Sequence, residues 1–163
     1  LPSVHEVALD AQHLKQPDIL QRVLQLAGQC EGIQAVRSII YTVLSELFNN
    51  ALEHGILKLD SKLKADSTGF HQYYENREAS LKALSHGRIN IRIESLPLKG
   101  KVLIAVEDSG EGFEWNKAST VGRRHSVHDK CFGRGLPLLH ALCERVWFEN
   151  GGSKVICLLD TKI

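Results

Sequence analysis

Three stretches hold residues whose types and spacing suit chemistry. In Glu107-Asp108-Ser109-Gly110-Glu111-Gly112-Phe113 a carboxylate stands at the end of an alternating run, with glycines two and four positions on. Such a carboxylate suits a buried acceptor beside a tight turn, and the glycines let backbone approach a flat ligand closely. An adenine amine is the kind of donor Asp108 would read, although a plain loop with a solvated aspartate has the same pattern. Gly133-Arg134-Gly135-Leu136 opens a helical run. Free N–H groups at a helix start, with flexible glycines, make an anion cradle; a simple loop-to-helix junction looks the same. In Val43–Gly55, reading VLSELFNNALEHG, Glu46, Asn50 and Glu53 recur at intervals of three and four. On a helix they project from neighbouring positions, as a site or as a solvated stripe. Asn49 lies about 100° round from Asn50, and its role stays open.

The elements that must position these residues follow from periodicity. Val43, Leu44, Leu47, Ala51 and Leu52 make an apolar helical face, and the predicted helix runs from Ile33 to Gly55, with Gly55 as its C-cap. Before it, Val4–Leu9 alternates as a short strand. Pro17 is placed like a first-turn proline, and the helix behind it ends near Gly28 or Gly32. Ile56 to Gly87 mixes charge with a helix expected over Gly69–Leu84, capped by Ser67 or Thr68. Ile89, Ile91 and Ile93, then Val102, Ile104 and Val106, alternate as an antiparallel hairpin with one buried face. Ser109 to Phe132 reads as a long loop, of the kind that is often functional. A helix is expected over Gly135–Val146, with Pro137 in its first turn, followed by a hairpin of Trp147–Phe148 and Val155–Leu159 turning on Asn150-Gly151-Gly152. The order predicts an α+β two-layer sandwich: a mostly antiparallel sheet with helices on one face.

Length and composition bound the function. At 163 residues the whole chain is expected to be a single domain, 1–163. Hydrophobic content is 43%, charged content 24% and net charge +1, with the signs interspersed. No electrostatic case arises for nucleic acid or a membrane surface, and no apolar run approaches the ~20 residues of a membrane span. Cys30, Cys131, Cys143 and Cys157 form no CxxC pair and are expected as free or buried thiols of a reducing cytosol. The eight histidines make no tight metal-ligand spacing. Since the chain starts at Leu1 and holds no Met, it is expected to be an excised domain. There is no GxxxxGK[ST] phosphate loop, and the third glycine and βαβ setting of a dinucleotide fingerprint are missing.

In combination, the ExxxN helix, the DxGxG loop after a strand and the GxGL helix start resemble the GHKL ATP-binding superfamily, which includes histidine kinases, DNA gyrase and MutL-type proteins. SELFNNALEHG, VEDSGEGF and GRGLPLLHAL look most like the anti-sigma-factor serine kinases, in the version fused C-terminally to bacterial response-regulator and phosphatase modules. The resemblance spans nearly the whole chain, with an insert at about 58–86 and an ATP lid at about 114–132. It implies ATP and Mg2+ as cofactors. Asn50 matches the magnesium-ligating asparagine and Glu46 the catalytic base, which takes the proton of a serine hydroxyl or water. Asp108 matches the adenine-reading aspartate, Gly110 and Gly112 the turn beside the base, and Gly133, Arg134, Gly135 and Leu136 the phosphate loop. His54, one turn after Asn50, either approaches the phosphates or sits at the helix end favoured by the dipole. For Glu53 a solvent-facing or capping role is expected. Lys117, Arg123, Arg124 and Lys130 in the lid are candidates to neutralise the triphosphate. The chain departs from some of these kinases in having Cys131 and Phe132, not an arginine, before the phosphate-loop glycines. The implied partner is an anti-sigma-factor antagonist of STAS type or another sigma-regulatory protein, with a homodimer as one implied assembly, in the cytoplasm. The competing implication is an ATP-dependent binding module with little or no catalysis.

Overall fold

The runs that alternate in sequence become strands of one sheet. The computed structural model describes residues 2–60, 64, 66–110 and 135–162. Its strands are Ser3–Asp10 (β1), Arg88–Leu96 (β2), Lys101–Asp108 (β3), Arg145–Glu149 (β4) and Lys154–Asp160 (β5). They form a five-stranded sheet in the order β1-β2-β3-β5-β4, with every neighbouring pair antiparallel. Side chains alternate between faces along a strand. Ile91 therefore lies opposite Val106, and Ile93 opposite Ile104, all buried on one face. The other face carries the cross-strand row Glu6, Arg92, Ala105, Ile156 and Trp147. This is the alternation expected when one face of an antiparallel sheet meets the core.

The helices are Ala11–Leu14 (α1), Ile19–Gly28 (α2), Arg37–Asn50 (α3), Ser67–Ala83 (α4) and Gly135–Leu142 (α5). Leu14, Val23, Ala27, Ile40, Leu44, Leu47, Phe48, Leu136 and Leu139 join the buried sheet face in one apolar cluster. The fold is a mixed α+β arrangement around an open antiparallel sheet. α3 is the middle of the helical layer, packing on α2, α5 and β3. α4 is different: Tyr73 is its one buried residue.

Several element ends differ from the sequence expectation, each for a local reason. α1 was not expected; Asp10 caps it, accepting from the His13 backbone N–H while the His13 ring accepts from the Asp10 N–H. Pro17 lies in the turn ahead of α2, whose first residue is Ile19. The predicted Ile33–Gly55 helix divides into a 3₁₀ turn at Gln34–Val36, α3, and a wide π-helical turn at Ala51–Ile56, so Gly55 is not a C-cap. Asp66, not Ser67 or Thr68, caps α4 by accepting from the Gly69 N–H at 2.7 Å. α5 stops at Leu142 rather than Val146, because the Glu144 N–H already bonds the Leu158 carbonyl at 2.8 Å and starts the β4–β5 pairing. Asn150, Gly151 and Gly152 turn that hairpin with φ of 53°, 69° and 98°, a left-handed path that suits glycine. Cys30, Cys143 and Cys157 are free thiols, and Cys131 lies outside the described residues.

Ile104 sits at the sheet centre, between Ile93 and Cys157 and fully buried. Ile104→Ala is expected to lower unfolding stability by about 2–5 kcal/mol, measured by urea denaturation.

Candidate functional site

α3 buries Ile40, Val43, Leu44, Leu47 and Phe48, which leaves Glu46 and Asn50 half-buried on an adjoining face. The Asn50 carboxamide lies beside the Glu46 carboxylate, four residues back on the helix, and its polarity favours the charged carboxylate. α5 begins directly against this pair. A Cβ at Gly135 would overlap the Glu46 carboxylate and come within 3.3 Å of Asn50 Nδ2. Burial pushes the Glu46 carboxyl above its ordinary value; the Lys64 ammonium and the Asn50 carboxamide oppose this, and the charge of Glu53 adds to it.

Beyond Asn50 the helix widens. The Leu57 N–H bonds the Leu52 carbonyl at 2.8 Å, a five-residue step in place of the usual four. The wide turn brings Gly55 onto the end of β3, where a Cβ at 55 would overlap the Asp108 carboxylate. A Cβ at Gly110 would in turn overlap the Gly55 carbonyl. The Asp108 carboxylate accepts from the Gly110 N–H at 2.8 Å, and the Asp108 N–H bonds the Ser153 carbonyl at 2.9 Å. Ser109 is fixed from both sides: its N–H bonds the Arg88 carbonyl and its hydroxyl accepts from the Arg88 N–H. Burial raises Asp108 to about 6; the Gly110 hydrogen bond resists this and the Glu107 charge adds to it.

A cleft opens between α3, α5 and the sheet, lined by Leu47, Asn50, Ala51, Val106, Asp108, Leu136, Leu139, Gly152, Ser153 and Val155. It encloses about 380 Å³ including its open mouth and is a narrow slot. Among the described residues, Asn50, Asp108 and Ser153 are its polar side chains, and the rest of the wall is apolar or glycine. An apolar slot with a few placed polar groups is the usual form of a small-molecule site.

The sequence-predicted residues therefore divide. Asn50, Asp108 and Leu136 line the cleft, Glu46 and Gly135 adjoin Asn50, and Gly110 holds Asp108. His54 is buried and does not line the cleft; its Nδ1 lies 3.0 Å from the Leu59 carbonyl oxygen. Burial lowers the His54 pKa, and that hydrogen bond opposes the shift. Gly112, Lys130, Gly133 and Arg134, with Lys117, Arg123 and Arg124 of the expected lid, lie outside the described residues. Glu53 corrects the expectation of a solvent-facing or capping role. It is 8% exposed, and its carboxylate accepts from the Tyr73 hydroxyl and, at 3.0 Å, from Arg77 Nε. Lys64 Nζ stands 3.6 Å from the same carboxylate. The Tyr73 phenol is held far above its ordinary range, first by burial and then by Glu53. Sequence reasoning also missed Gly55 as a packing glycine and Ser153 as a wall of the cleft. Neither carries a local signal, because each acts on a strand remote in sequence.

Among the described residues no group of three or more His, Cys, Asp or Glu is placed to hold a metal ion. The Asn50 carboxamide carries one hard oxygen donor and lines the cleft. A divalent cation fits there only if phosphate and water oxygens complete its shell. Among the described residues no helix is long and apolar enough to cross a membrane. Neither the protein-family models nor the curated proteins compared with this chain match it.

The Asp108 shift has a definite sign in stability. With the folded value raised to about 6 from 3.8, the folded state binds more protons between those values, so stability falls as pH rises through the window. Asp108→Asn removes this slope. Urea midpoints of the two proteins are expected to diverge from pH 4 to 7 in favour of the variant, and parallel curves would contradict the burial of Asp108.

Proposed function

We propose that the cleft is an adenine-nucleotide site of GHKL type and that the protein is an ATP- and magnesium-dependent serine kinase acting on an anti-sigma-factor antagonist in the bacterial cytoplasm. The observation that carries the reading is the position of Asp108: a carboxylate in the wall of a largely apolar slot, flanked by Gly55 and Gly110 and in one cleft with Asn50. An adenine presents an amine donor on a flat apolar ring, which matches a slot with one buried acceptor. Groups for phosphate chemistry gather at Asn50, since Gly135 starts α5 against Glu46 and Asn50. Backbone N–H groups at that helix start favour an anion.

In this reading Glu46 is the base. A serine hydroxyl oxygen bonds to the γ-phosphorus, the bond from that phosphorus to the bridging oxygen of ADP breaks, and the hydroxyl proton passes to Glu46. A carboxylate raised by burial holds such a proton better than a solvated one. Asn50 adjoins Glu46 and would offer its carboxamide oxygen to a magnesium ion brought with the nucleotide, which would supply charge neutralisation at the phosphates.

The experiment is incubation with labelled ATP, magnesium and a candidate antagonist. Glu46→Ala is expected to reduce phosphoserine by ~10²–10⁴-fold with nucleotide affinity retained. Asp108→Ala is expected to weaken nucleotide binding itself by ~1–3 kcal/mol, through loss of a buried acceptor, measured by calorimetry. Equal phosphorylation by Glu46→Ala would remove Glu46 as the base. A second reading, an ATP-dependent binding module with little catalysis, draws on Cys131 and Phe132 standing where an arginine precedes the phosphate loop in some kinases of this type. It predicts nucleotide-dependent capture of the antagonist without phosphoserine in the unsubstituted protein.

A further inference from the structure

We propose that Glu53 is a positioning residue of the cleft: by holding α4 through Tyr73 and Arg77 it fixes the wide turn Ala51–Ile56, and that turn sets the place of Asp108. The ligand meaning of this rests on the nucleotide reading, while the mechanical part does not.

A carboxylate with so little exposure requires partners, and Glu53 takes all of those named here from the insert: the Tyr73 hydroxyl on one oxygen, Arg77 Nε on the other, and the Lys64 ammonium 3.6 Å away. Lys64 also lies over the Tyr73 ring, 4.4 Å from its centre. Tyr73 is the only buried residue of α4, so this polar cluster, with Leu81 and Leu84 packed at the core edge, is what holds the helix down. Phe70 and Tyr74 of α4 are exposed and their rings lie 4.9 Å apart.

Glu53 stands in the middle of the wide turn, two residues before Gly55. The Glu53 carbonyl accepts from the Leu59 N–H, and the Leu59 carbonyl meets the His54 ring, so the turn is tied on its far side as well. Gly55 packs without a side chain against the Asp108 carboxylate, and its carbonyl lies where a Gly110 Cβ would be. One short backbone segment is thus pinned to α4 by Glu53 and wedged against the Asp108 loop by Gly55. A wide turn has fewer ideal internal bonds than an α-helix. Its geometry therefore depends on what grips it from outside, and a change in how α4 docks reaches Asp108 across three residues.

Two amides report the chain of contacts: Leu57, bonded to Leu52, and Gly110, bonded to the Asp108 carboxylate. In the ligand-free protein, Tyr73→Phe is expected to speed hydrogen exchange at both by about tenfold or more. Val23→Ala, a core change on α2, is expected to leave Gly110 as it was. Glu53→Gln, which keeps the side-chain shape, is expected to act as Tyr73→Phe does and serves if that variant does not fold. Faster exchange at Leu57 with Gly110 unchanged overturns the proposal, as does an equal response of Gly110 to Val23→Ala. With ADP and magnesium, Tyr73→Phe is expected to bind about tenfold more weakly than the unsubstituted protein. If the unsubstituted protein binds no adenine nucleotide while Gly110 still answers to Tyr73→Phe, the nucleotide reading fails and the positioning role stands.

Discussion

The backbone of Gly55 and the loop after β3 approach each other so closely that neither Gly55 nor Gly110 has room for a side chain. Asp108 is caught between them, and much of the cleft depends on that contact. The approach closes the gap between the end of α3 and the end of β3, so a residue on the helix, Asn50, and a residue on the strand, Asp108, line one slot. It also removes water from the Asp108 carboxylate, which is why its proton is held up to about 6. A side chain larger than hydrogen at either glycine would push the helix end off the sheet or turn Asp108 away. The wide turn Ala51–Ile56 is the geometric means to this approach, since an ordinary α-helical turn would aim the chain after Asn50 differently.

The cleft holds two chemical surroundings, one at Asp108 and one at Asn50. Around Asp108 the described wall is apolar apart from that acceptor and Ser153, which suits a planar group with a single donor. At Asn50 a carboxylate, a carboxamide and the start of α5 meet, which suits an anion and its counter-ion. α3 carries the second set and, through the turn at its end, shapes the first. Its apolar face is fully buried between α2, α5 and β3, so neither set can shift without disturbing the core.

Much of this was legible in the sequence where the signal is local. Period-two alternation found β2 and β3, because a half-buried antiparallel strand must alternate. The apolar stripe of VLSELFNNALEHG found α3 and placed Glu46 and Asn50 one turn apart. Asp108 and its glycines stood out as a strand end entering a turn. What was not legible is tertiary. Glu53 looked like an exposed residue because its partners, Tyr73 and Arg77, come 20 and 24 residues later. Gly55 looked like a helix cap because a glycine at a helix end commonly is one; only the Asp108 carboxylate packed on it reveals the other role. The wide turn has no composition of its own, and α1, four residues long, is too short to show a period.

The central claim is that the slot between Asn50 and Asp108 takes an adenine nucleotide. The most direct test is amide chemical-shift mapping of the protein titrated with ADP and magnesium. Saturable shifts concentrated at Asn50, Asp108, Gly110 and Gly135 are predicted. Shifts that do not saturate, or that cluster on the open sheet face around Glu6, Arg92 and Lys154, would contradict it.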